Sequence, residues 1–136
     1  MITGGGATLA KISKKLADAG ARIVGDEKAG YDIVVRDLEM PLTHIALNAG
    51  KDDAAVLVAK VQMGKHNAGY DALKDEITDD MLAAGIIDPA KVARMAVENA
   101  VSAAAMLLTT EAAVAEIPEP KKGESEMPPM DGGMDF

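Results

Sequence analysis

The longest helical pattern in this chain begins at Asp88-Pro89 and extends to about Leu108. Aspartate is a frequent helix N-cap and proline is tolerated in the first turn, so this pair indicates a helix start. Apolar and small side chains then recur on or near one face: Val92, Met95, Ala96, Asn99, Ala103, Met106 and Leu107. Met95 and Met106 are interpreted as core residues. A helix of this length in 136 residues favours a mainly α fold.

Shorter segments with helical periodicity precede it, at about 7–19, 27–39, 41–49 and 54–63. In the first, Leu9, Ile12 and Leu16 share a face, and Gly20 follows as a stop. In the last, a β-branched run leaves helix and strand hard to separate, and helix is favoured. These patterns predict a helical bundle.

Turn-forming and acidic residues interrupt the periodicity over 64–80 and predict a loop or a short hairpin near 69–77. Asp79 or Asp80 then caps a predicted short helix that ends at Gly85. Residues 113–117 predict a short strand, which requires a partner strand. The domain is therefore expected over 1–117, followed by a disordered Pro- and Met-containing acidic tail over 118–136.

Composition and charge exclude several functional classes. The chain has no cysteine, which removes disulfides, thiolate metal sites and Cys nucleophiles. A net charge of −8 and 2% aromatic residues argue against nucleic-acid binding. No stretch approaches the roughly 18 apolar residues of a membrane span, and no secretory signal is recognised at the first residues. We therefore expect a cytoplasmic protein that binds neither nucleic acid nor membrane.

Few side-chain patterns indicate chemistry. The glycine run Gly4-Gly5-Gly6 precedes a helix, so its free N–H groups could face an anion, although it lacks the spacing of a Walker A loop or a dinucleotide fingerprint. Asp88 could accept hydrogen bonds from a ribose instead of capping a helix. An acidic cluster could bind a hard cation but does not match a calcium loop: Asp71, Asp75, Glu76, Asp79 and Asp80. No catalytic constellation and no metal site are predicted around the histidines and serines.

Five collinear segments and the chain end carry a family resemblance: Gly4 to Leu9, Ile33 to Gly50, Gly69 to Ala72, Gly85 to Val92, Leu107 to Val114, and the Met-rich end from Met127 to Met134. Together they resemble the C-terminal half of the equatorial domain of group I, GroEL-like chaperonins. The resemblance implies a mainly helical, ATP-binding half-domain of a ring subunit. The parent family refolds non-native proteins in a homo-oligomeric double ring with a co-chaperonin, and it uses ATP with Mg²⁺ and K⁺.

The resemblance also assigns site residues. Gly5 is expected beside the nucleotide, Asp71, Ala72 and Leu73 on the adenine side, and Asp88 at the ribose. The family usually has Asn where this chain has Asp71, and a small residue where it has Leu73. The family's phosphate-gripping loop and catalytic aspartates precede the matched region. We therefore expect a fragment or truncated product that does not hydrolyse ATP alone.

Two alternatives from other classes stay open. The chain could be an autonomous helical interaction or assembly module without nucleotide binding. A cation-binding protein built on residues 71–80 is the weaker alternative.

Overall fold

A computed structural model describes residues 1–117, and the tail predicted to be disordered lies outside the described residues. The helices are α1 (Ala7–Ala19), α2 (Asp26–Asp37), α3 (Met40–Asn48), α4 (Ala54–Met63) and α5 (Ala90–Leu108), with a 3-10 turn at Gly20–Arg22. The strands are β1 (Ile2–Thr3), β2 (Gly69–Asp71), β3 (Glu76–Thr78) and β4 (Ile87–Asp88). The mainly helical prediction is confirmed. None of the helices described in this part of the chain is long and apolar enough to cross a membrane.

The core lies where α1, α3 and α4 meet. Its buried residues are Ala7, Ala10, Leu42, Ala46, Ala54, Leu57, Val58, Val61 and Tyr70. Four of the nine are alanines, and small side chains let helix backbones approach closely while excluding water. The face of α1 that enters this core consists of Ala7, Ala10 and Ser13, whereas Ile12 on the apolar face is 39% exposed.

A partly buried polar cluster joins the same helices. Ser13 Oγ donates to Glu39 Oε1 at 2.6 Å, and Gln62 Nε2 donates to the same oxygen at 2.7 Å. Gln62 Nε2 also lies 3.1 Å from the carbonyl oxygen of Ala10. The carboxylate at the α2–α3 junction therefore binds to α1 and α4 together.

Two antiparallel strand pairs lie beside the bundle. β2 pairs with β3 in the register Gly69↔Thr78 and Asp71↔Glu76, so the predicted hairpin is confirmed. β1 pairs with β4, with Ile2 opposite Asp88. This second pair brings the start of the chain to the segment that precedes α5.

Two local predictions just before α5 differ from the structure. Residues 81–85 form turns instead of a short helix, because Gly85 at φ +77° ends the segment after one turn. Asp80 still caps it, accepting from the amides of Leu82 and Ala83. Asp88 is not the N-cap of α5: it pairs in β4, and Pro89 occupies the cap position without a side-chain hydrogen bond.

The predicted strand over 113–117 is not formed. These residues are exposed and irregular, with Val114 fully exposed and Ile117 at 91%. No strand within the described residues accepts their backbone groups, and an extended segment without such a partner does not form a ladder.

Helix α5 forms as predicted but contains no buried residue. Met95 is 42% exposed and Met106 is 67% exposed, so the prediction that they belong to a core is wrong. An apolar groove of about 330 Å³ separates α5 from α2, with Val97, Val101 and Leu108 on one side and Ile33 and Val34 on the other. The helix forms with the predicted period, but residues 1–117 leave its apolar face largely uncovered.

Candidate functional site

Three loops that are distant in sequence meet at one end of the bundle. They contain the glycine run, the β2–β3 hairpin and the residues before α5. The Gly4 amide donates to the carbonyl oxygen of Ile86 at 3.0 Å. A Cβ placed on Gly5 would lie 3.8 Å from the Tyr70 carbonyl oxygen and 4.0 Å from Ile86 Cγ2. The structure thus brings Gly5 next to the strand that carries Asp71 and the loop that leads to Asp88.

The glycine run has the backbone conformation that its composition allows. Gly5 has φ +64° and Gly6 has φ +75°, in the left-handed region that side-chain-bearing residues rarely adopt. A Cβ on Gly6 would lie 2.6 Å from the backbone nitrogen of Leu42. Among residues 1–117, the amides of Gly5 and Gly6 donate to no acceptor. These N–H groups, at the start of α1, are available to a ligand with acceptor oxygens.

Asp88 is half-buried at the end of β4. Its carboxylate accepts no hydrogen bond and forms no ion pair within the part of the chain that the structure describes. Strand pairing with Ile2 fixes its backbone while leaving the carboxylate oxygens available. This arrangement suits an acceptor for hydroxyl donors.

Asp71 has a different arrangement. Only 6% of this residue is exposed, and its Oδ1 accepts from the amides of Leu73 at 3.0 Å and Lys74 at 3.3 Å. The carboxylate therefore shapes the hairpin turn, as aspartates do at the first position of such turns. Ala72 is exposed, and Leu73 is 95% exposed. The turn thus presents Ala72 and Leu73 outward, and Asp71 holds it from within.

A second aspartate completes the turn. Asp75 has φ +58° and is the one non-glycine residue with positive φ among the described residues. Lys51 Nζ lies 2.5 Å from its Oδ2, and the Tyr70 hydroxyl donates to its Oδ1 at 3.0 Å. These hydrogen bonds, that of Lys51 first, hold the pKa of the Asp75 carboxyl below its usual range. The same hydrogen bond raises the pKa of Lys51, and burial raises the pKa of Tyr70.

Tyr70 and Met81 were not among the predicted site residues, yet both are parts of this region. Met81 is fully buried, and its side chain lies against the positions where Gly5 and Gly69 would carry a Cβ. The Met81 carbonyl oxygen accepts from the Ile86 amide at 2.9 Å, so this residue supports all three loops. No periodic pattern surrounds Met81, and only its apolar character in a polar stretch could have indicated burial.

The acidic cluster is dispersed into separate contacts. Asp75 binds Lys51, Asp79 binds Lys65, and Asp80 caps a turn. Within residues 1–117, no three acidic or histidine side chains converge as a metal site would require. No observation in this region favours the cation-binding alternative.

A larger cavity, of about 450 Å³, lies on another side of α1 and contains none of the five predicted site residues. Its lining includes Lys11, whose ammonium donates to the carbonyl oxygens of Lys65, His66 and Ala68. Burial lowers the pKa of Lys11. An ammonium group has three N–H donors, and all three are used by these carbonyl oxygens. Lys11 therefore holds the loop after α4 against α1.

Comparison with known proteins extends these observations. Residues 1–118 match the model of the TCP-1/cpn60 chaperonin family. Among solved structures, the chain is similar to the open state monomer of a group II chaperonin from Methanococcoides burtonii, with a TM-score of 0.73 and 25% sequence identity. The match covers 80% of this chain and 28% of that one. The chain thus spans less than a third of the solved relative.

These matches do not support the group I assignment specifically, since the solved relative is a group II protein. They do support the mainly helical architecture, and the family model covers all five collinear segments. Because the family model extends over most of the sequence and the fold matches a solved member, this chain belongs to the TCP-1/cpn60 chaperonin family.

Proposed function

We propose that this chain is the C-terminal part of the equatorial domain of a chaperonin subunit that folds proteins in an ATP-dependent ring. The observation that carries the proposal is the meeting of the glycine run, the hairpin that carries Asp71 and the loop that leads to Asp88 at one end of the bundle. Family membership supports a protein-folding subunit that assembles with other subunits. Unfolded protein clients, a co-chaperonin and a cytoplasmic location follow from the same proposal.

The residues present fit one part of a nucleotide. The unpaired amides of Gly5 and Gly6 suit phosphate oxygens, and the available Asp88 carboxylate suits ribose hydroxyls. Ala72 and Leu73 form the exposed side of the turn, where an adenine would lie. When bound, ATP with Mg²⁺ and K⁺ supplies a transferable phosphoryl group. The ligands of those ions are expected elsewhere in the parent subunit.

The chain alone is expected to bind nucleotide weakly and not to hydrolyse it. Phosphoryl transfer depends on a positioned metal, phosphate donors and an oriented water. The motif resemblance places the residues that supply them before the matched region. The group I assignment within the family rests on the five collinear segments and on the Met127 to Met134 ending.

Titration with a fluorescent ATP analogue tests the nucleotide site. Asp88→Ala is expected to weaken binding about 10-fold or more, because it removes a hydrogen bond to a charged acceptor. Gly5→Ala is expected to weaken it through the added methyl group and the strain at φ +64°. Asp18→Ala, an exposed site on α1, and Gly25→Ala, another positive-φ site with open space around it, serve as controls. Equal affinity in all four variants would contradict the proposal.

A second candidate function is an interaction module without nucleotide binding. The observation that favours it is α5, whose 19 residues include none that is buried. A folded wild-type chain that binds no ATP analogue but self-associates in sedimentation experiments would support this candidate over the first.

A further inference from the structure

The turn that presents Ala72 and Leu73 is held in an unfavourable conformation by residues outside it. Asp75 closes the turn at φ +58°, in a region that disfavours residues with a Cβ. Such a residue persists when its surroundings determine its position, and these conformations occur often at ligand-binding sites. We name Lys51, Tyr70 and Asp75 the Asp75 cluster.

The cluster connects the turn to two other parts of the molecule. Lys51 belongs to the loop between α3 and α4 and binds Asp75 Oδ2, while Tyr70 binds Asp75 Oδ1 through its hydroxyl. Tyr70 is also a core residue, 3% exposed, and its carbonyl oxygen lies next to Gly5. Tyr70 therefore binds the closing residue of the turn and lies beside the glycine run.

We propose that Lys51, Tyr70 and Asp75 are positioning residues for the nucleotide site, which fix the 72–75 turn relative to the glycine run. This inference rests on the proposed nucleotide binding and extends it to residues that contact no nucleotide themselves. The Lys51 ammonium and the Tyr70 hydroxyl act through Asp75, and Asp71 acts on the same turn through the Leu73 and Lys74 amides.

Charged groups around the cluster determine its pH dependence. A small cavity of about 250 Å³ beside it is lined by Asp53, Lys60 and Glu76, as well as by Lys51, Tyr70 and Asp75. Lys74 faces Asp71 and Glu76 from within the turn. Because Lys51 and Tyr70 lower the pKa of Asp75, the carboxylate stays ionised until the pH falls below its ordinary range. The positioning effect is therefore expected at neutral pH and is lost in acid.

The test compares three variants, Lys51→Met, Lys51→Arg and Tyr70→Phe, with the control Lys60→Met. Lys60 lines the same cavity but forms no ion pair among the described residues. Titration with the ATP analogue is expected to show a 3- to 10-fold weaker affinity for Lys51→Met and Tyr70→Phe. Lys51→Arg is expected to restore most of the affinity, and Lys60→Met to leave it unchanged. The acid limb of the affinity profile is expected at higher pH in Lys51→Met than in the wild type, because Asp75 loses the lysine that lowers its pKa.

Unchanged affinity and an unchanged acid limb in Lys51→Met, with a wild type that binds, would overturn the inference. If the wild type binds no analogue, the proposed function fails instead. Amide exchange at Leu73 and Lys74 then tests the cluster by itself: faster exchange in Lys51→Met but not in Lys60→Met supports the role of Lys51 in fixing the turn. Equal exchange in both variants overturns that role.

Discussion

Helices α4 and α5 are both mostly apolar, but only α4 contributes residues to the core. Four residues of α4 enter the core, whereas α5 buries none of its 19. Since α4 packs between α1 and α3, its apolar residues have partners within residues 1–117. One face of α5 lines the open groove along α2, and the helix packs closely against no other described element. Helical periodicity therefore predicts where a helix forms, but it does not predict whether another element covers the apolar face of that helix. Matched substitutions in the two regions test this difference directly.

The largest effect is expected at Gly6. A Gly6→Val variant places a β-branched side chain at φ +75°, with its Cβ 2.6 Å from the Leu42 nitrogen. Backbone strain and overpacking together are expected to lower the free energy of unfolding by about 4 kcal/mol, measured by urea denaturation. Gly85→Val, at φ +77° but with no atom within 4 Å, is the control and is expected to cost about 1–2 kcal/mol. Equal losses would show that the contact with α3 is unimportant.

Leu42→Ala is expected to lower the free energy of unfolding by about 3 kcal/mol, because Leu42 is fully buried where α1, α3 and α4 meet. The same change at Leu107, which is 71% exposed on α5, is expected to alter it by no more than about 0.5 kcal/mol. Thermal denaturation of the two variants measures both effects. A comparable loss at Leu107 would show that α5 is covered in solution, for example by a second copy of the chain.

Ser13→Ala is expected to lower the free energy of unfolding by about 1 kcal/mol, because it removes one of the two donors to Glu39 Oε1 in the partly buried polar cluster. Ser102→Ala on exposed α5 is the matched control and is expected to be near neutral, or slightly stabilising, since alanine is the better helix former. Chemical denaturation of both variants measures the difference. A neutral Ser13→Ala would indicate that Gln62 alone satisfies the carboxylate.

The smallest effect is expected at two ion pairs, and it depends on pH. Lys51→Met is expected to destabilise at neutral pH. Asp75, whose pKa is lowered by folding, contributes to the free energy of unfolding above about pH 4. This contribution is lost as the pH falls through the pKa of Asp75 in the folded protein. Lys51, whose pKa is raised by folding, contributes at lower pH, and its contribution is lost only as the pH rises past about 10. Arg94→Met in α5 breaks an exposed pair with Glu98 and is expected to change stability by less than about 0.5 kcal/mol. A pH-independent loss in Lys51→Met would contradict the assignment.

The sequence predicted the helices and the hairpin because local rules determine them. Glycines, Pro41 and helical spacing set most of the boundaries, and the β-branched α4 segment was correctly predicted to be a helix. The faces were predicted less well. Ala7, Ala10 and Ser13 enter the core instead of the larger residues of α1, because a close helix crossing selects small side chains. Sequence spacing does not show how closely two helices approach.

The residues of the candidate site were predicted from the family resemblance. The geometry of the site could not be predicted from the sequence. Gly5, Asp71 and Asp88 are distant in sequence, and only the fold brings their loops together. Asp71 was expected at the adenine, but its carboxylate binds the turn amides, a contact that its spacing from Leu73 and Lys74 allows without requiring it. Met81 and the Asp75 cluster depend on tertiary contacts and leave no periodic signal. Ligand binding at this site stays a prediction.

The pairing of β1 with β4 has a consequence for the order of folding. Ile2 and Asp88 lie opposite each other although they are 86 positions apart, so their contact closes most of the chain that precedes α5 into one loop. Such a long closure costs conformational entropy before it gains any hydrogen bond, and contacts of this range slow folding. On a ribosome, β1 must wait until residue 88 has emerged, whereas the contacts between α1 and α4 can form earlier. The end of the bundle where the three loops meet is therefore expected to be the last part of this region to become ordered.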